Sequence, residues 1–275
     1  MDAKLISDKL LSSILHPLPL LGRGLRDRIK LFLISFLAFF SLPFLFLGKK
    51  TYSRVSGILN NVGPKDITIE TEYGIFHCRN YDDFFVLWPP YEAELKSFFA
   101  CDSESVFIDV GAHVGRYTVM VGKHVKRVVS IEPNAENFDA LRRTVAINDL
   151  HNVVALHCAC WNKAGTSLRL FRSPSPGKHS VLRPQMSFET VDTVTLDSIL
   201  ESLRIEPAEV GLVKIDAEGA EPQILMGGEK LLGSVQPRVV FEASPRNYRI
   251  AAEVLHSYGY RRMRHVGEIN YVAEK

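Results

Sequence analysis

A chain of 275 residues, 46% apolar and 23% charged, is long enough for one large domain or one domain with an appendage, and too apolar for wholesale disorder. Its 33 basic and 31 acidic side chains leave a net charge of +2, which gives no electrostatic footprint for nucleic acid, so no nucleic-acid partner is expected. The four cysteines (Cys78, Cys101, Cys158 and Cys160) include no C-x-x-C pair and no second pair at metal-ligand spacing, which points to reduced thiols in a cytosolic setting.

Residues 1–50 read as an apolar helical segment. From Leu31 to Gly48 there is no charge, and the run LFLISFLAFFSLPFLFLG is mostly Leu, Phe and Ile, at the short end of a membrane span. Pro43 interrupts it, and an interior proline kinks or ends a helix. Arg23, Arg26, Arg28 and Lys30 precede it and Lys49, Lys50 and Arg54 follow, so the positive-inside rule leaves orientation open. No small-residue cleavage site follows, which argues against a removed signal peptide. Three covers fit the stretch: a spanning helix, a helix lying in the membrane interface, or burial against the enzyme or a partner. A cytoplasmic domain attached to the inner face of a membrane through residues 31–48 is the expectation.

Residues 51–100 read as a lead-in. DITIETEYGIFHCR alternates apolar and polar residues about Tyr73-Gly74, the pattern of a hairpin. WPPY resembles the (D/N)PPY motif of enzymes that methylate adenine amino groups. Trp88 cannot accept a hydrogen bond from such a group, so the prolines read as the entrance of a helix, YEAELKSFF. From residue 101 to 275 strands and helices alternate. SVFID, RVVSIE, NVVALHCA, GLVKID and RVVFEA are strands. GRYTVMVGKHV, NAENFDALRRTVAIND (capped by Asn134), EPQILMGGEKLL and SPRNYRIAAEVLHSYG are helices, and two short strand-like pieces end the chain. Such alternation implies βαβ units and a mostly parallel α/β sheet with helices on both faces. RSPSPGKHSVLRPQ, residues 172–185, is the one loop-rich stretch.

Parallel sheets bind ligands at the carboxyl ends of their strands. The first core strand ends in Asp109 and runs into a turn bracketed by Gly111 and Gly115, with His113 between them, and the second ends in Glu132, placed to accept hydrogen bonds from ribose hydroxyls. A dinucleotide needs the G-x-G-x-x-G turn for its pyrophosphate, whereas the spacing here is G-x-x-x-G behind an acidic residue. S-adenosyl-L-methionine carries an ammonium and a sulfonium and no phosphate, so carboxylates suit its site. An NAD-dependent oxidoreductase and a catalytically silent cofactor-binding protein are the alternatives.

FIDVGAHVGRYT, IEPNAENFDALRRTVAIND, VTLDSIL, VKIDAEGAE and VVFEAS resemble, in order and spacing, the FkbM-type methyltransferases over roughly residues 100–245, with His113 where many relatives carry asparagine. The resemblance implies a class I methyltransferase fold, a Rossmann-like seven-stranded sheet, and O-methylation of a sugar, glycan or natural product, with a lipid-linked acceptor among the options. It implies that Lys214, Asp216 and Glu218 line the active centre and that Cys158, Ala159 and the residues up to Trp161 lie near the adenine.

A sugar hydroxyl is a poor acid, so methyl transfer to it calls for a base or a metal near the methyl group. Lys214 and Asp216 share a strand face by the two-residue period. Oxygen ligands from Asp216 and Glu218 would suit a divalent metal such as magnesium, though nothing else in the sequence calls for one. His179, in the long loop, is a second base candidate, and Glu242 at a strand end is a candidate acceptor contact. Glu221 reads equally well as a helix-start carboxylate. The basic group Arg261, Arg262, Arg264 and His265 reads as a solvated strand edge.

Overall fold

The computed structural model describes residues 22–33, 66–87, 91–172, 179–182 and 187–275. The chain divides into two compact units between Ala93 and Glu94.

In the first unit, residues 25–33 are helical. Strands β1 (Ile67–Glu70) and β2 (Ile75–Cys78) pair antiparallel, with Ile67 opposite Cys78. The expected turn at Tyr73-Gly74 closes through Thr71, whose hydroxyl accepts from the N–H groups of Tyr73 and Gly74 at 3.2 and 3.4 Å. Gly22 bridges to Ile69, and the Arg23 N–H donates to the Thr68 carbonyl at 3.2 Å. A short helix that the sequence pattern did not announce, α1 (Tyr81–Leu87), starts at Asn80, whose side chain accepts from the Asp83 N–H. Of the uncharged run, residues 34–48 lie outside the described residues, as do Trp88 to Pro90. Among the described residues no helix is long and apolar enough to cross a membrane.

The segment expected as an α-helix, YEAELKSFF, forms a tighter 3-10 helix, Ala93–Phe99, burying Leu95 and Phe99. Then come β3 (Val106–Val110), α2 (Arg116–Gly122), β4 (Arg127–Ile131), α3 (Ala135–Ile147), β5 (Val153–Leu156) and β6 (Ala159–Cys160), so the expected third strand breaks in two. β7 (Ser167–Phe171) and β8 (Phe188–Val194) form an antiparallel hairpin, with β6 beside β8. There follow α4 (Leu196–Leu203), β9 (Val210–Ile215), α5 (Glu221–Met226), α6 (Glu229–Ser234), β10 (Arg238–Glu242), α7 (Pro245–Ser257), β11 (Arg262–Val266) and β12 (Asn270–Glu274). The single helix expected over 221–232 is two, broken at the Gly227-Gly228 pair, where the absent side chains let Gly227 approach the Trp161 carbonyl oxygen and Gly228 pack on Leu196.

The seven-stranded sheet runs β5-β4-β3-β9-β10-β12-β11, and β12 alone is antiparallel to its neighbours. Leu196, Ile199, Ile224, Leu231, Ala251 and Leu255 from α4–α7 pack on the face carrying Ile108, Val129, Val213 and Phe241. Leu95, Phe99, Tyr117 and Val121 cover the other face, on Phe107, Val128, Leu212 and Val240. Chain order places β3 at the centre. The first crossovers build outward through β4 and β5, the later ones through β9 and β10, and the order reverses at the carboxyl ends of β3 and β9, where open sheets take ligands.

Candidate active site

By the two-residue period, Asp109, Ser130, Lys214 and Glu242 lie on the sheet face that also carries Phe107, Val128, Leu212 and Val240. Asp109 and Lys214 are register partners across β3 and β9. The Lys214 ammonium stands 3.4 Å from Asp216 Oδ2, 3.9 Å from Asp109 Oδ1 and 4.8 Å from the centre of the Tyr117 ring. The sequence thus correctly places Lys214 and Asp216 on one face, but it missed Tyr117, which reaches the cluster from the first turn of α2. A tyrosine just behind a glycine turn is the signal that was available.

The three charges are not equivalent. Asp109 has no exposed surface; its Oδ2 accepts from the Thr118 hydroxyl at 2.6 Å, and that hydroxyl lies 2.8 Å from Ser130 Oγ. Its Oδ1 has no hydrogen bond among the described residues. Burial raises its pKa, and Lys214 and then Thr118 oppose the rise. Asp109 thus sits beneath Lys214 as a buried counter-charge at the carboxyl end of β3, beside the turn where the donor is expected. Asp216, one residue past β9, keeps 32% of its side chain exposed.

The glycine turn also has reasons in the packing of the chain itself. Gly111 has φ +76°, and a Cβ there would overlap the Asp216 carbonyl oxygen. The close approach Gly111 permits is thus between the first turn and the end of β9, which the Asp216 N–H also joins by donating to the Val110 carbonyl. Gly115, φ +90°, brings α2 against α3, since a Cβ would lie 2.9 Å from Leu141 Cδ1. His113, at φ +51°, turns its N–H onto Glu132 Oε2 at 2.9 Å.

Glu132 is buried at the end of β4, and the Asn134 N–H donates to its Oε1 at 3.0 Å. A carboxylate oriented by backbone donors at a strand end is what ribose recognition requires, so these residues fit the methyl donor. Asn134 is the α3 cap, accepting from the Asn137 N–H, and its amide donates to Glu189 of β8 at 2.6 Å. Glu189 also holds Arg172 at 3.4 Å, so the β7–β8 hairpin is tied to the turn that carries Glu132. Cys158 and Ala159 are buried beyond β5. Burial, and then the Asp192 charge, pushes the Cys158 thiol up to about 11, and burial raises Cys160 further, so both are walls rather than nucleophiles.

The turn after β9 is clamped from three sides. Glu221, almost fully buried, accepts from the Ala217 and Gly219 N–H groups at 3.1 and 2.9 Å. Burial raises its pKa against those bonds. Its carboxylate holds the turn at the helix start. Asn247 of α7 donates to the Gly219 carbonyl at 3.0 Å, and buried Ser180 donates to the Glu218 carbonyl at 3.1 Å. Glu218 sits at φ +52° within this clamp. His179 is one residue from the Ser180 anchor, which brings that part of the long loop to the Glu218 turn. Glu242 ends β10 opposite Asn270. Among the described residues no group of three or more His, Cys, Asp or Glu side chains converges to hold a metal, so the divalent ion has no support.

Residues 109–265 match the family model described as the methyltransferase FkbM domain. The chain is 27% identical to methyltransferase sdnD of Sordaria araneosa, covering 56% of this chain and 72% of that protein. Among solved structures it is similar to the FkbM methyltransferase from Methylobacillus flagellatus KT, at a TM-score of 0.48 and 16% identity. That match covers 94% of this chain, which spans 57% of the other's length. It is also similar to TYW2 of M. jannaschii, solved in complex with S-adenosylmethionine, at a TM-score of 0.42 and 14% identity, covering 77% and 86% of the two chains. The family match spans both the glycine turn with Glu132 and the Lys214–Asp216 cluster, and it sets aside the oxidoreductase reading: the chain belongs to the FkbM family of S-adenosylmethionine-dependent methyltransferases.

Proposed function

We propose that the enzyme methylates an oxygen, a hydroxyl or carboxyl, of a sugar, glycan or glycolipid-like acceptor, and that it works at the cytoplasmic face of a membrane, to which residues 31–48 attach it. The observation that carries the oxygen acceptor is the Asp216 carboxylate: part-exposed at the carboxyl end of β9, held 3.4 Å from Lys214 and in backbone contact with the donor turn. When bound, the donor supplies a methyl group already joined to a good leaving group, the sulfonium. The remaining task for the protein is to orient the acceptor oxygen in line with that methyl and to take its proton.

Asp216 accepts that proton. Lys214, anchored below by Asp109 and Tyr117, holds the Asp216 carboxylate in place and balances negative charge growing on the acceptor oxygen. Glu132 takes the ribose hydroxyls, with Gly111, His113, Gly115 and Asn134 setting its turn and Cys158 and Ala159 walling the adenine side. Glu218 and Glu242 bind acceptor hydroxyls, and His179 covers the acceptor or shares the proton.

The test uses donor carrying a labelled methyl group, incubated with the enzyme and with glycan, lipid and protein fractions of cells. The expected result is label on a sugar, either as an O-methyl ether that survives mild alkali and acid hydrolysis, for a hydroxyl acceptor, or as an ester that releases labelled methanol in mild alkali, for a carboxyl. Label confined to protein or to an amine would overturn the oxygen-on-sugar assignment.

A further inference from the structure

We propose that the helix at residues 25–33 is a membrane-surface element that lies flat on an anionic lipid bilayer, with Leu25, Ile29, Phe32 and Leu33 in the acyl boundary. This deepens the membrane attachment proposed above and rests on it, while owing nothing to the identity of the acceptor.

The four side chains are 77%, 54%, 59% and 46% exposed. Their spacing, i, i+4, i+7 and i+8, puts them on one side of the helix. The opposite side is already occupied: Leu31 has no exposed surface, and Asp27, next to it on the wheel, is near enough to Cys78 of β2 that its charge adds to the burial that raises that thiol. The helix is therefore tethered to its own unit along one side. Arg28 Nε bonds to the Gly22 carbonyl at 3.1 Å and Lys30 Nζ to the Asp66 carbonyl at 2.9 Å.

A scattered exposed leucine means little, whereas four large apolar side chains aligned on one helix face call for a cover. Three features select lipid. By helical pitch Arg26 and Lys30 fall along one border of the apolar stripe and Arg28 along the other, and Arg23 stands exposed just before the helix; basic borders beside an apolar stripe are the pattern of interfacial helices on anionic leaflets. The stripe has no acidic residue within it, as Asp27 is turned to the protein side. And the sequence continues from Leu33 without a charge to Gly48, an apolar run that lipid would accept as well.

Flotation of the full-length protein with phosphatidylcholine vesicles, with and without phosphatidylglycerol, tests this. Wild type is expected to float, more strongly with phosphatidylglycerol. The triple variant Leu25→Glu/Ile29→Glu/Phe32→Glu alters only exposed side chains, and should lower partitioning about tenfold or more while binding S-adenosylhomocysteine as wild type does. Arg23→Glu/Arg26→Glu should remove the phosphatidylglycerol preference. A triple variant that floats like wild type would assign attachment to the downstream run and overturn the stripe while leaving membrane attachment standing. A wild type that stays in solution overturns both. A wild type that stays in solution and self-associates through contacts the triple variant abolishes would give the stripe to a second copy of the chain instead.

Discussion

The two halves of the central sheet hold their carboxylates in opposite ways. On the β4 side, Glu132 is buried and fixed by backbone N–H groups from His113 and Asn134, donors that neither titrate nor move. On the β9 side, Asp216 is part-exposed and lies 3.4 Å from the Lys214 ammonium, a side-chain partner. The first arrangement suits a permanent acceptor, the second a group that must change its protonation during turnover. Under the proposed roles, donor recognition rests on a carboxylate held by backbone and chemistry on one held by a side chain, and the two turns meet where Gly111 approaches the Asp216 carbonyl.

That contrast can be broken most sharply at Asp216. Asp216→Asn keeps shape but takes no proton, and turnover should fall about 10²–10⁴-fold, the range for loss of a general base, with donor affinity nearly unchanged. His179→Ala should cost less than Asp216→Asn in the same single-turnover assay; the reverse order would move the base to the loop. The next largest effect belongs to the other half. Glu132→Ala should weaken donor binding by about 1.5–3 kcal/mol in isothermal titration, the scale of hydrogen bonds to a charged group, and undiminished affinity would take Glu132 out of the ribose role.

The smallest effect concerns Glu221, whose pKa burial raises. An acid with a higher pKa folded than unfolded lends stability that is full below its unfolded pKa and lost as pH rises through its folded pKa. Thermal midpoints of Glu221→Gln should therefore fall less steeply than those of wild type as pH climbs through and above the ordinary carboxylate range. Parallel slopes would mean that the buried carboxyl is not the titrating group.

Much of the donor half is legible in the sequence because local chemistry dictates it: the G-x-x-x-G turn, the Asn134 cap and the strand-ending Glu132 are each a short-range signal with one physical reading. What escaped depends on contacts far apart in the chain. Nothing near Asp109 announces that Lys214 will pair with it and Thr118 seal it. The β7–β8 hairpin is obscured by the proline-rich stretch between its strands, although FETVDTV alternates and is rich in β-branched residues, which is a strand signal. The break at Gly227-Gly228 is likewise written in the glycine pair, but the Trp161 carbonyl packed against it is visible only in three dimensions. The clamp on the turn after β9 is the least legible part, since Ser180 and Asn247 gain meaning only by converging on the turn at Glu218.

The contact between Gly111 and the Asp216 carbonyl also bears on how the chain is made. β3 is the central strand, yet its second neighbour, β9, is synthesised only after α2, β4, α3, β5, the β7–β8 hairpin and α4 have emerged. Until β9 docks, the carbonyl end of β3 lacks the Asp216 N–H and the turn lacks the surface it packs against. Pairing so distant in sequence is slow to form. A nascent chain therefore displays the whole glycine turn and Glu132 well before it can grip the donor. The methyl donor acts as a ligand of the finished sheet, rewarding completion of folding rather than guiding its early steps.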